Sequence, residues 1–485
     1  MSFNILLIRP PALTGNTFSR VSGIMPPLNL MYIASYIKKK YNTQDNELNI
    51  SILDLELNPL RVRELKETFE AFQPDIVGIT AHTNNMPAVA FIARVVKASR
   101  PSCRVVIGGP HPTVEPEKSL QYAKDVDFVV CGEGEQTFFE LVEELRNKSF
   151  EFHSVRGLYY RDMNLGRIVF TGPRGVVSDL AIVGVPDPSI VEIDRYLKFP
   201  QSPGIWKRTW NMFTQRGCAF DCSFCASPKI HEYKVRALPV SMVISEIKEA
   251  VRKHRIEHVN FRDSNFTMNR ARTIEICLEL IRQGVKVTWN CETRVNLVDP
   301  LLLKIMKSAG CSKISFGVES GSPRILNSID KKVSLAQIKN AFRWCKEKGI
   351  MTQAFFMVGF PTEDDADIQA TVALIKEINP DFLFVSVVVP LPGTRIFNEF
   401  KDRGLITDPD RYESFQFFFQ TPSWRTVHHD VKDLVRIQRA VYSRYVFSAA
   451  YLFRMISQIR GWSQMRYYFG AILGFLEFIS KRGMV

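Results

Sequence analysis

The chain lacks any uninterrupted apolar run long enough to cross a bilayer. Its first eight residues, MSFNILLI, also lack the basic start and cleavage site of a secretory leader. A first strand is therefore expected there, in a cytoplasmic protein. A disulfide framework is missing too. Of nine cysteines, Cys103, Cys131, Cys277, Cys291, Cys311 and Cys345 stand singly, as reduced buried thiols do. Acidic residues are in deficit: 50 Asp and Glu oppose 63 Lys and Arg, a net charge of +13. Such a balance suits nucleic acid, anionic lipid or acidic small molecules. No RNA-binding module is visible, so no nucleic-acid partner is expected. An apolar content of 46% is that of a globular protein, and 485 residues imply two or three domains.

What is present begins with the other three cysteines. Cys218, Cys222 and Cys225 fall in the run Arg216-Gly217-Cys218-Ala-Phe-Asp-Cys222-Ser-Phe224-Cys225. Thiolates hold iron–sulfur clusters, and a four-iron cube takes four ligands. This C-x3-C-x2-C loop supplies three, leaving one iron open to a different ligand. The alternative is a Cys3His structural zinc site completed by His231, in a non-catalytic protein. Zinc sites of that kind usually pair two short knuckles far apart in sequence, and this spacing differs.

The loop resembles that of the radical S-adenosylmethionine (SAM) enzymes. The resemblance implies a [4Fe-4S] cluster on Cys218, Cys222 and Cys225 whose open iron chelates the amino and carboxylate groups of SAM. From residue 206 to 395 the pattern alternates strand and helix, with strands expected at Thr209–Thr214, His258–Arg262, Lys286–Asn290, Lys313–Val318, Met351–Gly359 and Phe382–Val389. Six such units read as a partial (β/α)6 barrel, similar to the radical SAM fold, and barrels of this kind place functional groups at the C-terminal strand ends. Motif-like residues recur there. By resemblance, Phe224 lies beside the SAM adenine, and Asp263 takes the place of the usual Gly-Gly-Glu at the amino group. Arg294 meets the SAM carboxylate. Glu319 and Ser320 hydrogen-bond ribose or methionine groups, and Gly359 belongs to an adenine-contact motif whose acid arrives late, at Glu363.

Residues 1–145 also alternate short apolar strands with helices, the pattern of a doubly wound parallel sheet. In such sheets ligands bind beyond the carboxyl ends of the strands. Three of those ends carry loop chemistry: Thr80, His82 and Thr83; then Gly108, Gly109, Pro110, His111 and Thr113; then Gly132, Glu133 and Glu135. The region resembles the cobalamin-binding domain found upstream of many radical SAM domains, which implies that these residues contact cobalamin. The Asp-x-His-x-x-Gly motif of the cobalamin mutases is absent. His82 is read as a polar contact, with cobalt ligation as the alternative, and a sheet that has lost its ligand is the alternative for the whole domain.

Residues 146–205 are expected to form a connector with a hairpin at Val155–Thr171. Residues 396–485 are expected to be a helical, basic and aromatic C-terminal region. Nine Lys and Arg face two Asp and Glu over residues 431–485. Helices packed over the barrel mouth are expected there, with peripheral membrane contact as the alternative. The resemblance as a whole implies a cobalamin-dependent radical SAM enzyme, reduced by flavodoxin or ferredoxin. It would cleave SAM to a 5′-deoxyadenosyl radical and methylate an unactivated carbon of a small-molecule or lipid-like substrate. Oxidation, cyclisation or ring rearrangement without net methyl transfer is the alternative.

Overall fold

A computed structural model describes residues 2–11, 23–41, 48–162, 166–197, 202–416 and 422–457, with isolated residues from there to 473. The apolar stretch Tyr467–Ile479 lies mostly outside the described residues. The chain forms two compact units. One takes in Pro26–Ile193 and Ala226–Arg236; the other takes in Asp194–Cys225 and the chain from Ala237 onward.

The first unit is built on a seven-stranded sheet. Strands β1 (Phe3–Arg9), β2 (Leu48–Asp54), β3 (Ile76–Thr80), β4 (Arg104–Gly108) and β5 (Phe128–Val130) run parallel in the order β2-β1-β3-β4-β5. Ile5 of β1 sits between Ile50 and Ile76 in register, and Ile5, Leu7, Ile76, Val106 and Phe128 join Phe138 and Leu141 in the core. Helices Leu28–Lys40, Val62–Phe72 and Met86–Ser99 supply the first three crossovers, the short helices Pro110–Val114 and Pro116–Tyr122 supply the one from β4 to β5, and Gly134–Arg146 follows β5. In this strand order the connection reverses direction between β1 and β3, which leaves a crevice beyond their carboxyl ends.

The hairpin expected in the connector is an extension of this sheet. β6 (Leu158–Asp162) pairs antiparallel with β5, Phe128 opposite Tyr160, and β7 (Arg167–Phe170) completes the ribbon. The hairpin covers the backbone groups that β5 would otherwise present as an open edge. Packing therefore continues past residue 145, to Ile193.

The second unit holds six parallel strands in sequential order: β8 (Thr209–Met212), β9 (His258–Phe261), β10 (Thr288–Thr293), β11 (Cys311–Glu319), β12 (Met351–Val358) and β13 (Phe382–Val387). Their order and the intervening helices make the expected partial barrel. Side chains alternate along each strand: Trp289, Phe316 and Phe356 are fully buried on the helix-facing side.

The helix Val431–Val446 lies along β13 rather than across the mouth. Gln438 Nε2 donates to Val385 O (2.9 Å), Val385 N donates to the Tyr442 hydroxyl (3.0 Å), and the Tyr445 hydroxyl donates to Pro380 O. Leu434 is fully buried in a cluster with Met357, Val387 and Phe400. On the free edge of the barrel's last strand, both backbone groups of Val385 are thus satisfied by tail side chains. Among the described residues, no helix is long and apolar enough to cross a membrane.

Candidate active site

The cysteine loop leaves β8 through Gly217, whose φ of +93° suits glycine. It is tied down on both sides: Ser223 N donates to Ile329 O (3.1 Å), and Ile396 N donates to Ser223 O (2.9 Å). Cys225 N closes a turn onto Cys222 O (3.0 Å). Cys222 is buried, while Cys218 and Cys225 are partly exposed. None of the three is in a disulfide.

Two cations flank the loop. Arg294 donates from Nη1 to Cys222 Sγ (3.2 Å), from Nη2 to Lys331 O, and lies 3.8 Å from the centre of the Phe220 ring. Lys331 Nζ is 2.6 Å from Glu319 Oε1 and 5.8 Å from the Phe224 ring. Burial pushes the Cys218 thiol up, while the Phe220 backbone amide and the charges of Arg294 and Lys331 pull it down. Three thiols with a guanidinium already bonded to one sulfur form a donor set that fits an iron–sulfur cluster, whose potential responds to hydrogen bonds at sulfur. Among the described residues, no three His, Cys, Asp or Glu side chains converge on one metal position.

His231, the fourth ligand of the zinc alternative, is engaged elsewhere. Its Nδ1 lies 3.3 Å from Glu133 Oε1 and 3.3 Å from Arg236 Nη2.

The barrel strand ends divide into those facing open space and those turned inward. Asp263, expected at the SAM amino group, is fully buried and accepts from Thr214 N (2.6 Å), Thr214 Oγ1 (2.6 Å) and Gln215 N (3.1 Å). Both of its oxygens hold the end of β8 in place, so its carboxylate pins the approach to the cysteine loop. Ser320 is also fully buried, and its hydroxyl meets Thr371 Oγ1 (3.2 Å) and accepts from Ser322 N (3.1 Å). That hydroxyl fastens the β11 loop to the helix Asp365–Ile378. Glu319 follows a bulge at Gly317, and its φ of +72° turns its carboxylate onto Lys331.

Gly359 has φ +89° and donates its N–H to Glu363 Oε2 (2.5 Å). Glu363 is fully buried, and its Oε1 has no hydrogen-bond partner. Burial pushes this carboxyl up to about 8. Asn265 Nδ2, at the end of β9, is a second buried polar atom without a partner. Unsatisfied buried groups of this kind at strand ends are where a polar ligand finds its contacts.

In the first unit, the loops after β3, β4 and β5 are laced together. Thr80 Oγ1 accepts from Asn29 Nδ2 (2.7 Å), Thr83 Oγ1 and His111 Nδ1 are 3.1 Å apart, and Gly132 N donates to Thr113 Oγ1 (3.0 Å). Gly109 has φ +113°, and a Cβ there would lie 2.7 Å from Ala81 O. Pro110 opens the short helix Pro110–Val114. His111 is buried, which pulls its imidazole down to about 4 and keeps it neutral. The His82 side chain is exposed. Gly108 is half-buried at the end of β4, and Glu135 is buried in the first turn of the helix Gly134–Arg146.

Glu133, expected among the cobalamin contacts, is bound within the protein. Both of its oxygens bind Arg236 (2.8 Å each), with both side chains 6% exposed, and Oε2 also accepts from Val177 N (3.3 Å). A buried carboxylate takes the nearest guanidinium, and that guanidinium arrives from more than 100 residues away. Sequence reasoning missed Arg236 and Lys331 for the same reason: each lies in a basic stretch that reads as solvated surface.

A family model for the radical SAM superfamily matches residues 212–375, and one for the B12 binding domain matches residues 17–142. An uncharacterized methyltransferase of Pyrococcus horikoshii is 33% identical over 394 residues, covering 81% of this chain and 82% of the relative. The chain belongs to the cobalamin-binding radical SAM enzymes. The cofactors of this family are a [4Fe-4S] cluster, SAM and cobalamin, and the thiol loop and glycine-rich strand ends fit them. The anaerobic magnesium-protoporphyrin IX monomethyl ester cyclase of Rubrivivax gelatinosus is 28% identical, covering 98% of this chain and 82% of the cyclase. Among solved structures, the radical SAM methyltransferase TsrM of Kitasatospora setae, with cobalamin and a [4Fe-4S] cluster bound, has the same fold. It matches at a TM-score of 0.74 and 16% identity, over 99% of this chain and 100% of that one.

Proposed function

We propose that this cobalamin-dependent radical SAM enzyme is a methyltransferase acting on an unactivated carbon of a small-molecule or lipid-like substrate. The observation that supports the reading is the 33% identity to an uncharacterized methyltransferase over most of both chains. In this reading Cys218, Cys222 and Cys225 ligate the cluster, and Arg294 steadies it through Cys222. Phe224, Glu319 and Gly359 line the SAM site beside it. Thr80, Thr83, Gly108, Gly109, His111, Thr113 and Gly132 form the cobalamin cradle. Asp263, Ser320 and Glu133 hold loops in position instead of touching ligand. When bound, the cluster supplies the electron that cleaves SAM and cobalamin carries the methyl group; flavodoxin or ferredoxin is the proposed reductant.

The test is SAM bearing a deuterated methyl group, given to the reconstituted enzyme in an anaerobic extract of its own cells. A metabolite that gains an intact CD3 supports methyl transfer. A second reading, oxidative cyclisation, is favoured by the cyclase relative that spans 98% of the chain. It predicts a product lighter by hydrogen and free of label.

A further inference from the structure

The lumen-facing side chains of the barrel are sorted by chemistry. On β8, β9 and β10 an amide ladder fixes which face points inward: Asn260 Nδ2 donates to Asn211 Oδ1 (3.0 Å), and Asn290 Nδ2 donates to Asn260 Oδ1 (2.8 Å). Two residues further along the same face stand Arg262 and Glu292. They form a loose ion pair of 3.5 Å, with side chains 30% and 38% exposed although their strands are otherwise buried. A polar pair open to that degree at strand ends borders space that a ligand can enter.

Lys313 of β11 is fully buried close by, near enough for Arg262 and Glu292 to act on its ammonium. Burial pushes the Lys313 ammonium down to about 7, so the standing charges of this wall are the Arg262 guanidinium and the Glu292 carboxylate, and an anionic ligand would take the fork of Arg262 in place of Glu292.

The opposite wall is different. Gln353 of β12 accepts from Lys313 Nζ (3.2 Å), which sets the inward face of that strand. Two residues on, Phe355 meets Phe384 of β13 edge to face, with ring centres 5.3 Å apart and planes at 83°. β10 and β11 separate β9 from β12, so Arg262 and the Phe355–Phe384 pair occupy different sides of the lumen. Both rings are only partly buried.

We infer that the substrate is a flat, largely apolar molecule bearing a carboxylate, with Arg262 binding the anion and Phe355 and Phe384 packing on the plane. The inference rests on the reading of this barrel as the catalytic one. A guanidinium fork matches carboxylate geometry, and paired aromatic rings favour a flat partner. Glu292 keeps Arg262 directed into the lumen.

The test uses 2-naphthoate and its neutral counterpart 2-naphthamide as fluorescent probes of the reconstituted holoenzyme with SAM present. The parent should prefer naphthoate by about tenfold or more. Arg262→Gln should bring the ratio close to one, and Phe355→Leu should weaken both probes while keeping the ratio. Misfolding would weaken both probes together, so the ratio reports on Arg262 alone. Equal affinities in the parent, or an unchanged ratio in Arg262→Gln, overturn the substrate class. Release of 5′-deoxyadenosine by the parent separates the two levels. Release without naphthoate preference sinks only the substrate class; absence of release sinks the enzyme reading and this inference with it.

Discussion

Burial sets the behaviour of two acids at the barrel strand ends. Glu363 keeps one oxygen on the Gly359 amide and leaves the other without a partner, and its carboxyl moves from its ordinary value of 4.5 to about 8. The folded state therefore holds this proton more tightly than the unfolded chain does. The group's contribution to stability is complete below pH 4.5 and is lost as pH rises through 8, at about 1.4 kcal/mol per pH unit. Glu363→Gln should flatten the fall in melting temperature between pH 5 and 8, measured by calorimetry; an unchanged slope would contradict the assignment. Asp263 is likewise pushed up by burial, to about 6, despite its three hydrogen bonds. The cysteine triplet was legible in the sequence because its donors are nearly contiguous. The role of Asp263 was not, because Thr214 and Gln215 lie 49 and 48 residues away. Glu133→Gln, which leaves Arg236 buried without its charge partner, should destabilise by about 3 kcal/mol in urea unfolding. A loss under about 0.5 kcal/mol would mean that the pair is solvated.

At the scale of elements, short apolar strands ending in glycine-rich or polar loops made both sheets readable. The helix Val62–Phe72 was not read, since its exposed run of charges carries only Leu65 and Phe69 as fully buried anchors. The hairpin was read, but its attachment to β5 was not, because an edge pairing leaves no mark on either strand's own pattern. The tail helix is similar: its amphipathic face was visible, but its seat along β13 depends on Val385 having unpaired backbone groups. That seat has a measurable consequence at Gly359. A Cβ there would lie 2.8 Å from Leu434 Cδ2, on top of the cost of its positive φ. Leu434→Ala alone should cost about 3 kcal/mol as a buried truncation. Combined with Gly359→Ala it should cost less than the sum by about 1 kcal/mol, since the second change removes the clash. Simple additivity in denaturant titrations would place Leu434 away from this loop.

The whole molecule joins a flavodoxin-like sheet to a partial barrel in one chain, and the two families were legible because each leaves its signature in loops at strand ends. Substrate chemistry was not legible, because the proposed contacts lie in alternate side chains of separate strands that only the folded partial barrel brings to one face. In the proposed function, cluster, SAM and cobalamin together transfer a methyl group. The decisive measurement is the amount of both SAM-derived coproducts formed during turnover by the anaerobically reconstituted holoenzyme. Methyl transfer should yield 5′-deoxyadenosine and S-adenosylhomocysteine in about equal amounts, one of each per product, since one SAM is cleaved and one restores the methyl group. 5′-Deoxyadenosine formed with product but without S-adenosylhomocysteine would contradict it.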